Sequence, residues 1–146
     1  MLNFLKDRLA DLKAGAAKFA RDRDFAEGTM AVCAMVANAD GQVEPEERRK
    51  IGQFIRASDY FQGFDHTELV NLFERYSGFY EWDAEIGHDR CLKEIGQVRG
   101  DEKRLLIVRV GMAIARADGE LEPAERDAMQ RVCRVLGLDP TEFGLR

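Results

Sequence analysis

The chain has 146 residues and a formal net charge of −5, with 45% apolar and 34% charged side chains. This length suits one ordinary domain that buries its own core without disulfides or metal staples. The acidic balance argues against general nucleic-acid binding, which requires a clustered basic face. The sequence contains no apolar h-region at its start and no apolar run near the ~20 residues that span a bilayer. We therefore expect neither a signal peptide nor a transmembrane helix.

The charge is distributed unevenly along the chain. Residues 1–23 carry six basic and three acidic side chains, a net +3, so the remainder carries −8. Apolar residues recur there in steps of three and four, as on one face of a helix. These are Leu2, Leu5, Leu9, Leu12, Ala16 and Phe19. We predict a basic amphipathic helix, which either packs on its own domain or docks, through residues such as Lys6 and Lys13, on a membrane surface or a partner.

The rest of the chain shows helical periodicity and no Pro-, Gly- or Ser-rich linker. Asp65 and Asp83 are predicted N-caps, Gly137 is a predicted C-cap, and Pro140 is predicted to begin a final turn. The spacing predicts six further helices, over residues 24–39, 45–58, 65–79, 83–98, 101–117 and 123–136. The first of these six is apolar on most faces and should be central. The predicted fold is all-α, with about seven helices in one compact domain over residues 1–146.

A ten-residue motif occurs twice in the sequence. The segment Ala39-Asp40-Gly41-Gln42-Val43-Glu44-Pro45-Glu46-Glu47-Arg48 recurs 78 residues later, from Ala117 to Arg126, with seven of ten positions identical. This predicts an internal pseudo-two-fold repeat of helix–loop–helix units, over about 30–57 and 108–135. Gly41 and Gly119 should take a positive φ and end the incoming helices. Pro45 and Pro123 should occupy the first position of the outgoing helices.

Each copy of the motif places an aspartate before glutamates four and seven residues later. The six carboxylates are Asp40, Glu44, Glu47, Asp118, Glu122 and Glu125. They would repel one another unless a cation or basic side chains intervened, and such oxygen ligands suit Ca²⁺ or Mg²⁺. The spacing is similar to the second half of an EF-hand loop only, so each copy is half a site at best. Two interpretations remain open: a divalent-metal site, or helix capping with salt bridges to Arg48, Arg116 or Arg126.

The cysteines do not suggest a disulfide framework or a zinc site. The sequence has three cysteines, an odd number, at the widely separated positions Cys33, Cys91 and Cys133, and it has no CxxC pair. We expect reduced core thiols in a cytoplasmic protein. No Ser-His-Asp arrangement, Cys-His arrangement or glycine-rich phosphate loop is evident. We therefore expect no enzymatic activity and no organic cofactor.

Histidines and aromatic residues offer weaker signals. His66 and His88 stand singly in the sequence, and we expect each at the surface or in a cap. We expect the aromatic residues between 73 and 82 to form part of the core and part of its solvent-exposed edge. Tyr80 and Trp82 are candidates for a binding surface on that edge.

Four separated stretches also carry a family resemblance. They are Gly28 to Ala34, the two Ala-Asp-Gly loops, Glu81 to Gly87, and Leu136 to Leu145. In order, over essentially the whole chain, they resemble the TerB family of tellurite-resistance proteins. The resemblance implies about seven helices with internal symmetry, and metal binding at the six carboxylates named above. It further implies a location in the cytoplasm or peripherally at the inner membrane, with a TerC-like membrane protein and other tellurite-resistance proteins as partners.

The first functional hypothesis is a non-enzymatic stress-response adaptor that binds divalent metal at its duplicated acidic loops. Its partner contacts would come from Lys6, Lys13, Tyr80 and Trp82. The second is a metal-independent interaction module whose acidic loops only cap helices. The third, a metal-dependent hydrolase, is the least favoured because no histidine lies beside the acidic motif in sequence.

Overall fold

The computed structural model describes residues 16–41, 44–57, 61–116 and 119–145. Within these ranges helices are the only regular secondary structure and no strand is present, which confirms the all-α prediction. Six α-helices are present in these ranges: α1 (Arg23–Ala37), α2 (Pro45–Ala57), α3 (His66–Gly78), α4 (Ala84–Gly96), α5 (Asp101–Ala115) and α6 (Pro123–Leu136). Short 3-10 segments follow α3 and α6, at Phe79–Glu81 and Pro140–Phe143. No helix of the described ranges is both long and apolar enough to cross a membrane.

Helix α1 is the centre of the core. Eleven of its fifteen residues are buried, and it packs against α3, α4, α5 and α6. Met30 and Met35 on this helix are fully buried, and burial of each such side chain contributes about 1.5–3 kcal/mol. The prediction that this apolar segment is central is therefore confirmed.

Helices α1 and α5 pack closely and run parallel. A Cβ atom at Gly28 would lie 3.0 Å from Cδ1 of Ile107, and one at Gly111 would lie 2.5 Å from Cγ1 of Val32. Val32 lies one turn after Gly28 on α1, and Gly111 lies one turn after Ile107 on α5. The chain direction is therefore the same in both helices. Both helices therefore end at the same end of the molecule.

The predicted capping residues are where the sequence placed them. The Asp65 carboxylate accepts a hydrogen bond from the Glu68 backbone N–H at 3.1 Å, and Asp83 accepts from that of Ile86 at 2.8 Å. Gly137 ends α6 with a φ of 74°. Asp22 caps α1 by accepting from the Phe25 N–H at 3.0 Å, so this helix begins one residue before its predicted start.

The second helices of the two repeated units have different neighbours. Helix α2 packs on α3, whereas α6 packs on α1, α4 and α5. The two copies of the motif are thus alike in sequence while their outgoing helices pack in different places.

The end of the predicted N-terminal basic helix is held against α5. Ala16 is fully buried, and the Phe19 ring centroid lies 5.3 Å from that of Phe25. The Lys18 ammonium forms an ion pair with Glu102, and Lys103 Nζ lies 2.5 Å from Asp22 Oδ2. Residues 16–22 therefore pack on their own domain, while Lys6 and Lys13 lie outside the described residues.

Candidate functional site

The two acidic loops begin at helix C-termini and end at helix N-termini. Gly41 has a φ of 81° and Gly119 a φ of 121°. Residues with side chains rarely adopt this region, so the predicted positive φ of both glycines is confirmed. The prediction that they end the incoming helices is wrong, because the C-caps of α1 and α5 are Asn38 and Arg116, three residues earlier. The glycines turn the loops instead. Pro45 and Pro123 are the first residues of α2 and α6, also as predicted.

The described parts of both loops lie at one end of the molecule, because α1 and α5 are parallel. Helix α1 ends five residues after Val32 and α5 ends four residues after Gly111, roughly 6–8 Å beyond the contact of these two residues. The first loop contains Asp40 and Glu44, and the second contains Asp118 and Glu122. Asp118 lies outside the described residues, so its predicted role as a ligand stays a prediction.

The described loop carboxylates differ in exposure. Asp40, Glu44 and Glu122 are exposed, and Glu125 is half-buried. The carboxylate of Glu125 accepts a hydrogen bond from the Glu122 backbone N–H at 2.9 Å, which caps the start of α6. The side chain of Glu47 is not described, although its backbone belongs to α2.

No group of three or more histidine, cysteine, aspartate or glutamate side chains is gathered for a metal among the described residues. Asp118 and the Glu47 side chain, two of the six predicted ligands, lie outside the described part of the structure. Metal binding by the complete set therefore stays a prediction.

The three arginines that the salt-bridge interpretation assigns to the loops have other contacts. Arg48 Nη1 lies 3.8 Å from Glu74 Oε2. Arg116 donates to the carbonyl of Phe143 at 3.3 Å, and Arg126 donates to that of Gly144 at 3.2 Å. Two of these guanidinium groups thus hold the C-terminal segment in place.

Asn38 adds a buried oxygen at the entrance to the first loop. This C-cap of α1 is 1% exposed, and its Nδ2 donates to the Ala34 carbonyl at 2.7 Å and to Ser77 Oγ at 3.3 Å. Its Oδ1 is buried without a hydrogen-bond partner in the described part of the chain. An unsatisfied buried acceptor costs about 1–3 kcal/mol. It follows that Asn38 brings an additional oxygen to this end of the molecule.

The first loop lies against the start of α4. A Cβ atom at Gly41 would lie 3.9 Å from that of Ala84, which is the first residue of α4. Trp82, two residues earlier, is 83% exposed. The acidic loop and this tryptophan therefore share one region of the surface.

Tyr80, the other predicted contact residue, is only 8% exposed. Its hydroxyl lies 2.6 Å from Nδ1 of His88, and His88 is 3% exposed. The expectation of a surface or capping His88 is therefore wrong: its ring is in the core, paired with a tyrosine from the preceding 3-10 segment. Burial lowers the pKa of His88, with a further contribution from the Arg131 charge. Tyr80 is therefore a buried residue below this part of the surface, and Trp82 is exposed on it.

The three cysteines are free and buried, as expected for core thiols. Burial raises the pKa of Cys33 and of Cys91 to about 12 and that of Cys133 to about 11. The thiolate is the reactive form of cysteine, and it is scarce at neutral pH when the pKa is this high. The cysteines therefore offer no reactive centre for an oxyanion.

Comparisons with known proteins agree with the resemblance. A family model described as "Tellurite resistance protein TerB" matches residues 26–146. The "Tellurium resistance protein TerB" of Alcaligenes sp is 33% identical over 93 residues, which is 63% of this chain and 76% of that protein. No solved structure matches the chain. Because the family model spans most of its length, the chain belongs to the TerB family of tellurite-resistance proteins.

Proposed function

We propose that this TerB-family chain is a non-enzymatic adaptor in tellurite resistance that binds a divalent cation, Ca²⁺ or Mg²⁺, between its two acidic loops. The observation that carries the proposal is the parallel packing of α1 and α5, which brings both copies of the acidic motif to the same end of the molecule. Neither copy has enough ligands alone, because each corresponds to only half of an EF-hand loop. A shared site uses the carboxylates of both.

One feature of the same end supports a cation. The buried Oδ1 of Asn38 is a neutral oxygen, and neutral oxygens of this kind join carboxylates around Ca²⁺. The proposed ligands are Asp40, Glu44, Glu47, Asp118, Glu122 and Glu125.

Calorimetric titration of the whole chain with Ca²⁺, Mg²⁺, Mn²⁺ and Zn²⁺ tests the metal site. We expect saturable heat with at least one ion. A ligand at a hundredfold its Kd adds about 2.7 kcal/mol of stability, which raises the Tm of a domain of this size by about 5–10 °C.

The variants Asp40→Asn and Asp118→Asn should each remove most of the heat and of the Tm rise. The matched control is Asp101→Asn, an exposed carboxylate at the start of α5, which is the opposite end of that helix from the loops. The metal proposal fails if no ion produces heat or a Tm change, or if the control loses as much as the two loop variants.

A specific contact favours the second candidate, a metal-independent interaction module. The carboxylate of Glu125 already accepts from the Glu122 backbone N–H, so in the second copy one predicted ligand has a capping role without a cation. This candidate predicts that Asp40→Asn combined with Asp118→Asn weakens partner binding more at low salt than at high salt, with no effect of added metal.

A further inference from the structure

Trp82 is the only tryptophan of the chain, and 83% of it is exposed. Tryptophan is well buried on average, and it is enriched where a protein binds a partner. Ile86, one turn along α4, is 44% exposed. The start of α4 therefore presents apolar surface that its own domain does not cover.

The exposure of Trp82 follows from the packing beneath it. Asp83 is the N-cap of α4, so Trp82 precedes the cap and its usual apolar partner would stand four residues after the cap. That position is Gly87. A Cβ atom there would lie 2.4 Å from the Tyr80 ring, which is fixed by its hydrogen bond to His88. The helix thus has no side chain at the position that would cover the tryptophan.

The surface around Trp82 is negatively charged. Glu81 and Asp83, its two chain neighbours, are exposed carboxylates. The first acidic loop, with exposed Asp40 and Glu44, comes close to the same place, since a Cβ atom at Gly41 would lie 3.9 Å from that of Ala84. The basic residue Arg131 also lies nearby, but it is already paired: it forms a bidentate salt bridge with Glu85, at 3.0 Å for each bond.

We propose that Trp82 and the carboxylates around it bind a lysine- or arginine-rich segment of a partner protein. The indole face attracts a cation, the neighbouring carboxylates pair with further basic side chains, and opposite charge steers the encounter. This inference rests on the adaptor part of the proposed function and names the chemistry of the partner. It does not require the metal site.

The first test uses the indole of Trp82 as its own probe. Titration of the chain with decalysine, which contains no aromatic residue, should change the Trp82 fluorescence with saturation. Decaglutamate should leave it unchanged. The affinity for decalysine should fall as NaCl is raised, because exposed charges are screened.

Variants separate a defined surface from general attraction to an acidic protein. In calorimetry with decalysine, Trp82→Ala should weaken binding about thirtyfold, as expected for an aromatic hot spot. Glu81→Gln combined with Asp83→Asn should weaken it about two- to twentyfold, while asparagine keeps the helix cap. Asp101→Asn removes a distant carboxylate and should change the affinity less than twofold.

The proposal is overturned if Trp82→Ala binds decalysine as tightly as the unaltered chain, or if Asp101→Asn weakens binding as much as the double variant. It is also overturned if sedimentation shows a dimer that Trp82→Ala dissociates, because a second copy then occupies the surface. The titrations are run with EDTA and without added metal. If no metal binds but decalysine binding depends on Trp82, only the proposed metal site is rejected. If metal binds but decalysine binding does not depend on Trp82, only this inference is rejected.

Discussion

Gly87 is a residue at which space, and not backbone conformation, requires glycine. It lies within α4, and three atoms of the Tyr80 ring would lie within 2.5 Å of a Cβ atom at this position. The Tyr80 hydroxyl is fixed by His88, so the ring cannot turn away without losing a buried hydrogen bond. The exposed edge above it depends on this contact.

We expect Gly87→Ala to lower the free energy of unfolding by about 1–3 kcal/mol, because overpacking forces the ring from its position. Denaturant unfolding followed by circular dichroism measures this change. Gly52→Ala is the matched control: Gly52 lies within α2, and a Cβ atom there would meet no atom of the described residues within 4 Å. It should gain about 0.5–1 kcal/mol from helix propensity. A neutral or stabilising Gly87→Ala would contradict the packing described.

At the scale of elements, the helix ends follow from local chemistry. The Asp65 carboxylate accepts from the Glu68 N–H at 3.1 Å, so it satisfies one backbone donor that α3 itself cannot. Asp65→Ala should lower the free energy of unfolding by about 0.5–2 kcal/mol. Asp65→Asn, which retains a capping oxygen, should lose less than about half of that. Equal losses in thermal denaturation of the two variants would show that Asp65 does not act as a cap.

The helix ends could be predicted from sequence because a cap depends on residues within one turn. Asp65, Asp83 and Gly137 needed only their immediate neighbours to be recognised. His88 could not be placed in this way, since its burial depends on Tyr80 and on the packing of α4 against the core. The one local sign of this packing was Gly87. A glycine inside a helix, away from any turn, often marks a place where another side chain packs closely.

The candidate site was predictable to the same extent. The duplicated motif identified the carboxylates, the positive-φ glycines and the prolines that start the outgoing helices. The contact of Arg116 with the Phe143 carbonyl joins residues 27 apart in sequence, and no local pattern predicts it. The same is true of the approach of Gly41 to Ala84 at the start of α4, two residues after Trp82.

At the scale of the whole molecule, the parallel pair α1 and α5 determines where the loops lie. Small residues allow the two helices to approach: Gly28 faces Ile107, and Gly111 faces Val32. Two like-charged loops at one end of a molecule repel each other. In the proposed site a shared cation would offset that repulsion, and its removal should loosen both loops together.

The most direct test is an NMR titration of the backbone amides of Gly41 and Gly119 with Ca²⁺ and Mg²⁺. We expect both signals to shift with one common Kd, while the signal of Gly100, at the other end of α5, stays unchanged. We also expect Asp118→Asn to abolish the shift of Gly41, because one site needs both loops. If Gly41 still shifts with unaltered affinity in Asp118→Asn, or if neither glycine responds to any ion, the shared site does not exist.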